Sequence, residues 1–296
     1  MAGLEARIDA QSVRRVEGHF EPAPGVRLYR CEWWPEPTGT APSPSPALVL
    51  VHGFAEHCRR YDELAAHLLR QRIAVCRFDA RGHGRSSGQR GYVRRHDDYV
   101  SDLRAYVAQL LTEQPGRRLV LLGHSDGGVV AVRAVQQGLT GIAALLLTNP
   151  YLRIRAERKP VPDALARLLA LVAGRLPLPS GIRAAELTHD PTLQKAHARD
   201  RWIHRVATPR WYWSAVETGR AALADAERLR LPLLLIVGDA DPLADPSAML
   251  ELYERAASPD KQLILRRGEL HEVLNETDRH TAFELIATWV KQRAAL

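Results

Sequence analysis

Short, nearly unbroken apolar runs alternate with amphipathic helical segments along much of this 296-residue chain. A strand that is apolar at every position buries both faces, as strands of a parallel sheet do when helices cover the sheet on either side. The pattern therefore predicts an α/β fold with a mostly parallel, eight-stranded sheet, opened by an antiparallel strand pair. The predicted strands are Val13–Phe20, Val26–Trp34, Ala47–Val51, Ile73–Phe78, Arg118–Gly123, Ile142–Leu147, Leu233–Val237 and Gln262–Leu265.

The alternation stops at Pro150 and resumes near Leu233. We therefore expect a sheet domain in two parts, residues 1–150 and 217–296, with a helical cap of residues 151–216 inserted after the sixth strand. Within the cap, apolar residues at helical spacing predict one amphipathic helix. These residues are Leu165, Leu168, Leu169, Val172 and Leu176.

A G-x-S-x-G motif, Gly123-His124-Ser125-Asp126-Gly127, lies between the fifth predicted strand and a helix. In that context the glycines permit a tight turn that presents Ser125 at the carboxyl end of the sheet. A serine hydroxyl becomes a nucleophile when a base takes its proton and an acid orients that base. The motif therefore predicts Ser125 as a catalytic nucleophile.

The base and the acid are expected in loops that follow later strands. His271 lies between the last strand and the last helix, and it is the predicted base. Three carboxylates follow the seventh strand: Asp239, Asp241 and Asp245. Asp245 precedes a proline and a helix, which is typical of a helix cap. Asp239 lies close to the strand end. Asp241 is therefore favoured as the acid that orients His271.

The loop after Ala47–Val51 is expected to stabilise developing negative charge on the substrate. The backbone N–H of Phe54 in this loop and the backbone N–H of Asp126 are the two predicted oxyanion donors. His52 is interpreted as a structural hydrogen-bonding residue. The sequence predicts no metal site, because Asn275 stands where an H-E-x-x-H motif starting at His271 would need histidine.

A second glycine loop, from Asp79 to Gly88, departs from the dinucleotide-binding spacing, so we interpret it as a packed turn and predict no cofactor. The net charge of +7 comes almost entirely from arginines without long basic clusters, so we do not expect nucleic-acid binding. Three cysteines, no apolar run of about 18 residues and no secretory signal pattern favour a cytoplasmic protein.

Together these segments resemble the α/β-hydrolase superfamily, and within it the monoacylglycerol lipase and lysophospholipase branch, which is related to serine aminopeptidases. The residues that carry the resemblance are His52-Gly53-Phe54-Ala55-Glu56-His57, Arg60-Tyr61, Arg81-Gly82-His83-Gly84, Gly123-His124-Ser125, Leu187-Thr188-His189-Asp190-Pro191, His271-Glu272 and Asn275-Glu276. The resemblance implies a triad of Ser125, Asp241 and His271 that hydrolyses carboxylic esters through an acyl-enzyme. Asp126 departs from the branch, which often has methionine there.

The cap is expected to select the substrate, a small-molecule or lipid ester of medium to long chain. Candidate substrate-binding residues are Leu165, Leu169, Val172, Trp202 and Trp211. The apolar stripe could line an acyl tunnel, touch a membrane surface, or pack down on the sheet domain. Two other functions stay open: an aminopeptidase or amidase with the same triad, and a non-catalytic ligand-binding homologue. The sequence leaves the oligomeric state open.

Overall fold

The computed structural model describes residues 13–36, 45–158 and 161–294. The sequence also predicts a proline-rich surface connection over Pro35–Pro46, and most of that segment lies outside the described residues. The start of the chain, Met1 to Ala10, where the sequence predicts no secretory signal, lies outside them as well. The strands are β1 (Val13–Ala23), β2 (Val26–Pro35), β3 (Ala47–Val51), β4 (Ala74–Phe78), β5 (Leu119–His124), β6 (Ile142–Thr148), β7 (Leu178–Pro179), β8 (Val206–Ala207), β9 (Leu233–Gly238) and β10 (Lys261–Arg266).

Eight of these strands form one sheet in the spatial order β1-β2-β4-β3-β5-β6-β9-β10. β2 pairs antiparallel with β1 and β4, and the remaining neighbours pair parallel. The predicted mostly parallel sheet is confirmed, and each predicted strand overlaps an observed one. β7 and β8 form a separate two-stranded pair.

Helices cover both faces of the sheet. The α-helices are α1 (Asp62–Arg70), α2 (His96–Glu113), α3 (Ser125–Gln136), α4 (Asp163–Val172), α5 (Pro191–Arg199), α6 (Pro209–Ala224), α7 (Pro246–Arg255) and α8 (Arg279–Ala294). Short 3₁₀ helices span Cys58–Tyr61, Ala156–Arg158, Ala184–Glu186, Ala226–Arg228 and Val273–Asn275. Residues of α1 and α8 pack on one face, and residues of α2, α3, α6 and α7 pack on the other.

Strand β3 illustrates why the apolar runs are continuous. Leu48 and Leu50 belong to the cluster beneath α1 and α8, whereas Val49 and Val51 belong to the cluster on the opposite face. All four side chains are buried. Burial on both faces removes the polar alternation that a half-exposed strand would show.

The cap segment lies between β6 and β9 and contains α4, α5, β7, β8 and the start of α6. The predicted cap boundary at residue 216 falls inside α6 and needs correction. The last turns of α6, with Ala222 and Leu223, belong to the core of the sheet domain. One helix therefore serves both the cap and the sheet domain.

Most of the apolar stripe of the cap helix faces outward, with Leu169 as the half-buried exception. Helix α4 buries Ala166 and Ala170 against Trp213, while its other large apolar residues remain exposed. Leu165, Leu168, Leu171 and Val172 are 43%, 53%, 70% and 72% exposed, and Leu176 lies past the end of the helix, 53% exposed. Of the three possibilities left open by the sequence, packing of the whole stripe on the sheet domain is therefore excluded. Within the described residues, no helix has the length and apolar character needed to span a membrane.

Candidate active site

Ser125 occupies a strained turn between β5 and α3. Its φ is +52°, in the left-handed region that non-glycine residues seldom adopt. Gly127 makes the turn possible, because a Cβ there would lie 2.3 Å from the backbone oxygens of Val51 and His52. The tight packing places the start of α3 against the end of β3, and Ser125 at the carboxyl end of the sheet.

Ser125, His271 and Asp241 converge in the structure. His271 Nε2 lies 2.8 Å from Ser125 Oγ, and His271 Nδ1 lies 2.6 Å from Asp241 Oδ2. All three side chains are buried. The three residues come from the ends of β5, β9 and β10, so the sheet holds them at one edge.

Asp241 is the carboxylate that reaches His271. The alternatives have other partners: Asp239 Oδ1 accepts from the Gly268 N–H at 2.7 Å, and Asp245 caps α7 by accepting from the Ser247 N–H at 2.9 Å. Asn149, which sequence reasoning missed, donates from Nδ2 to Asp241 Oδ2 at 2.7 Å. Asn149 directly follows β6 and belongs to no recognisable motif. Its contact with Asp241 becomes visible only when the sheet places the end of β6 beside the end of β9.

Electrostatics favour an ionised Asp241 beside a basic His271. Burial opposes ionisation of the Asp241 carboxyl, but the His271 charge and several hydrogen bonds outweigh it and lower the pKa. Burial also opposes protonation of His271, yet the Asp241 carboxylate outweighs that effect and raises its pKa above 6.5. Neighbouring His124 stays neutral, because burial and the His271 charge lower its pKa to about 4. The imidazole beside Ser125 is therefore the stronger base.

The two predicted oxyanion donors flank Ser125. The N–H of Asp126 lies in the first turn of α3, where a helix has no intrahelical acceptor. The loop that carries Phe54 approaches closely, because a Cβ on Gly53 would lie 3.0 Å from the Ser125 Cβ. The Phe54 ring stacks on Trp211 with centroids 3.5 Å apart.

A cavity of about 450 Å³ opens at Ser125 and His271 and extends under the cap. Of the predicted substrate-binding residues, Leu169 and Trp211 line this cavity, and Ala166 contributes as well. Leu165 and Val172 do not line it, because they face outward on α4. Trp202 does not line it either, and its ring lies beneath the guanidinium groups of Arg85 and Arg201.

The comparisons with known proteins agree with this geometry. The family model described as serine aminopeptidase, S33, matches residues 42–278. The chain belongs to the serine aminopeptidase S33 family. A monoacylglycerol lipase of Mycolicibacterium smegmatis is 30% identical, and the match covers 94% of this chain and 98% of that protein. A monoglyceride lipase of Homo sapiens is 32% identical, with 94% and 91% covered.

A solved structure of a Paleococcus ferrophilus monoacylglycerol lipase superimposes with a TM-score of 0.79 at 26% identity. That match covers 90% of this chain and 99% of the other. The predicted α/β-hydrolase fold is confirmed.

A buried ionic cluster contributes polar side chains to the cavity lining in this S33-family chain. Glu56, His197 and Glu272 line the cavity, and Arg60 joins them. Arg60 donates to Glu56 Oε2 at 3.0 Å, pairs with Glu272, and lies 3.1 Å from His197 Nδ1. Burial opposes ionisation of Glu56, but the charges of Arg60 and nearby histidines lower its pKa to about 2. Sequence reasoning missed this cluster, although Glu56 and Arg60 are only four residues apart.

Two further motifs are structural. His52 Nδ1 donates to the Gly53 carbonyl at 2.7 Å and its Nε2 accepts from the Ala80 N–H at 3.0 Å, which confirms the structural interpretation. The second glycine loop is a packed turn in which the Gly82 N–H donates to the Ser87 carbonyl at 2.7 Å. Across the described residues, no three His, Cys, Asp or Glu side chains cluster closely enough to hold a metal ion.

Proposed function

We propose that this ester hydrolase cleaves esters of a single medium-to-long acyl chain, in the manner of a monoacylglycerol lipase or lysophospholipase. The observation that carries the proposal is the 2.8 Å contact between Ser125 Oγ and His271 Nε2, two residues that line a largely apolar cavity. The names of the relatives support it, since monoacylglycerol lipases match over nearly the whole chain.

The proposed chemistry follows from the order of contacts. His271 Nε2 takes the Ser125 proton as the oxygen attacks the ester carbonyl, and the N–H groups of Phe54 and Asp126 donate to the oxyanion. Asp241 holds the imidazole in the required tautomer and stabilises its charge. His271 then protonates the leaving alcohol, and water activated by the same base releases the fatty acid.

The cavity offers different surroundings to the two halves of such a substrate. Cap and core residues such as Ala166, Leu169 and Leu243 suit an acyl chain. Glu56, His197 and Glu272 supply hydrogen-bonding groups that suit a hydroxylated alcohol. A glycerol ester contacts both the apolar residues, through its acyl chain, and the polar residues, through its hydroxyl groups. A methyl ester of the same acid contacts the apolar residues alone.

We extend the proposal to peripheral contact between the cap and an anionic lipid surface. The outward apolar residues of α4 lie on a segment, residues 151–216, with twelve basic and five acidic residues. An apolar face with basic surroundings suits the boundary between headgroups and acyl chains. Because Ala166 and Leu169 of the same helix line the cavity, such contact holds the cavity close to a membrane-held substrate.

Vesicle flotation tests the membrane contact. We expect phosphatidylserine-containing vesicles to retain the wild type and to retain Leu168→Ser/Leu171→Ser at least about fivefold less, since each buried leucine contributes about 1.5–3 kcal/mol. Leu265→Ser is the matched control, because Leu265 is 45% exposed on strand β10. Equal retention of all three proteins would contradict the contact.

We also propose that the reaction takes place in the cytoplasm. The three cysteines Cys31, Cys58 and Cys76 are buried free thiols, which suits a reducing compartment. Fractionation of cells that express the protein tests this, and recovery from an extracytoplasmic fraction would contradict it.

A substrate panel tests the proposed reaction. We expect monoacylglycerols to be hydrolysed faster than methyl esters of the same acids, and aminoacyl amides to be hydrolysed least. The amide alternative needs a carboxylate for a substrate ammonium, but Glu56 and Glu272 at the cavity both pair with Arg60. Faster cleavage of aminoacyl amides, or hydrolysis by Ser125→Ala at the wild-type rate, would refute the proposal.

A further inference from the structure

A buried carboxylate–imidazole pair lies directly beside the proposed nucleophile. Asp126 Oδ1 is 2.8 Å from His96 Nε2, and the two side chains are 7% and 0% exposed, respectively. Because an ionised carboxylate only accepts hydrogen bonds, His96 Nε2 donates. The proposed mechanism uses the backbone N–H of Asp126 and leaves this side-chain pair unexplained.

Buried ion pairs contribute little net stability, and well-packed apolar residues often replace them without loss. The pair is therefore weak evidence for a stabilising role. Removing one partner is a different matter, because it leaves an uncompensated buried group. Because Asp126 directly follows Ser125, its unpaired carboxylate would repel the negative charge that develops on the substrate oxygen.

His96 is itself held from three directions. Its backbone N–H donates to Ser214 Oγ on α6 at 2.9 Å, and its ring meets the Tyr99 ring edge to face, with centroids 5.3 Å apart. The ring centroid also lies 6.1 Å from that of Trp211, whose indole stacks on Phe54. His96 thus contacts Asp126 directly and reaches the Phe54 loop through one intervening ring.

We propose that His96 is a positioning residue for the oxyanion site. By donating to the Asp126 carboxylate, it fixes the first turn of α3 with the Asp126 N–H available to the substrate oxygen, and it offsets a negative charge that would oppose the transition state. The inference rests on the proposed function, since it assigns a role within the Ser125 reaction.

The test compares affinity for an anionic transition-state analogue with affinity for the neutral ester. An alkylboronic acid forms a tetrahedral anion on a catalytic serine, so its Kd reports the oxyanion site. KM for acylation by the matching p-nitrophenyl ester, taken from the concentration dependence of the burst phase, reports ground-state binding. We expect His96→Leu to weaken boronate binding and lower kcat at least about tenfold, with KM within about twofold, as for other losses of oxyanion stabilisation.

A second variant separates charge from packing. His96→Leu/Asp126→Met removes both partners, and it should recover at least about fivefold of the boronate affinity lost in His96→Leu, because no unpaired carboxylate remains. His67→Leu is the control: it removes a buried imidazole on α1, 3.4 Å from Glu284 and outside the cavity lining, and it should leave the ratio of Kd to KM unchanged. Circular dichroism and fluorophosphonate titration give the folded, active fraction of each protein.

Two results would overturn the inference. One is a folded His96→Leu that binds the boronate as tightly as the wild type. The other is a double variant whose boronate affinity falls as far as that of His96→Leu. If His96→Leu does not fold, the double variant is compared with the wild type, and a loss of boronate affinity of more than about tenfold overturns the inference. Failure of the proposed function would look different, because Ser125→Ala would then hydrolyse the ester at the wild-type rate.

Discussion

Replacing Asp241 by asparagine alters a carboxylate whose two oxygens receive four hydrogen bonds. Oδ2 accepts from His271 Nδ1 at 2.6 Å and from Asn149 Nδ2 at 2.7 Å. Oδ1 accepts from the N–H groups of Leu243 and Ala244 at 2.7 and 3.0 Å. An asparagine must point an NH₂ group at one of these two sets of donors.

Since the backbone donors cannot move, the asparagine oxygen should replace Oδ1 and its NH₂ should face His271. The imidazole then accepts at Nδ1, and the proton moves to Nε2, where it blocks deprotonation of Ser125. In a serine hydrolase with the same contacts, this change of tautomer lowers kcat about 10⁴-fold, or about 5 kcal/mol in activation free energy. KM should change little, because Asp241 does not line the cavity.

Steady-state hydrolysis of a p-nitrophenyl ester measures both constants for Asp241→Asn. Asp239→Asn is the matched control, since Asp239 lies two residues away and is exposed. It should retain nearly full activity. A decrease of less than about tenfold in Asp241→Asn, or equal decreases in both variants, would refute the assigned role.

Three further predictions follow from the geometry. Asp241 raises the pKa of His271, and the base must be neutral to accept a proton, so kcat/KM should fall with decreasing pH at a midpoint above 6.5. A midpoint below 6.5 in the measured pH profile would contradict this prediction. Gly127→Ala should lower the free energy of unfolding in urea by about 1–3 kcal/mol, since the new Cβ meets backbone oxygens. Gly18→Ala should leave that free energy nearly unchanged, because no atom lies within 4 Å of its Cβ. Equal losses in the two variants would contradict the packing argument. Arg60→Met should lower the free energy of unfolding by about 3–5 kcal/mol, because it leaves buried carboxylates without their cation. Arg94→Met should lower it by less than about 1 kcal/mol, because the Arg94 side chain that pairs with Asp98 is 68% exposed. Similar losses in these two arginine variants would count against the buried cluster.

Local sequence patterns were sufficient for the sheet and for the convergence of three side chains. Strand β3 buries both faces, so its five residues are all apolar and its bounds were predicted without error. The turn at Ser125 needs glycine where the chain packs against β3, and that need is visible in the motif. Both signals depend on residues close together in sequence.

The cap and the polar residues of the cavity lining depend on contacts between distant segments. Helix α4 buries Ala166 and Ala170 and exposes most of its leucines, and a helical spacing of apolar residues does not reveal which line of residues faces inward. The cluster around Arg60 joins Glu56, His197 and Glu272, which lie far apart along the chain. The pairing of His96 with Asp126 is another contact that no local pattern indicates.

The central claim is that Ser125 carries the acyl group during hydrolysis. Rapid mixing with p-nitrophenyl decanoate, acid quenching and intact-protein mass spectrometry would measure this directly. The account predicts a transient mass increase of one decanoyl group, located by peptide mapping on Ser125 and absent from Ser125→Ala. Turnover at the wild-type rate with the acyl group on another residue, or in the Ser125→Ala protein, would contradict it.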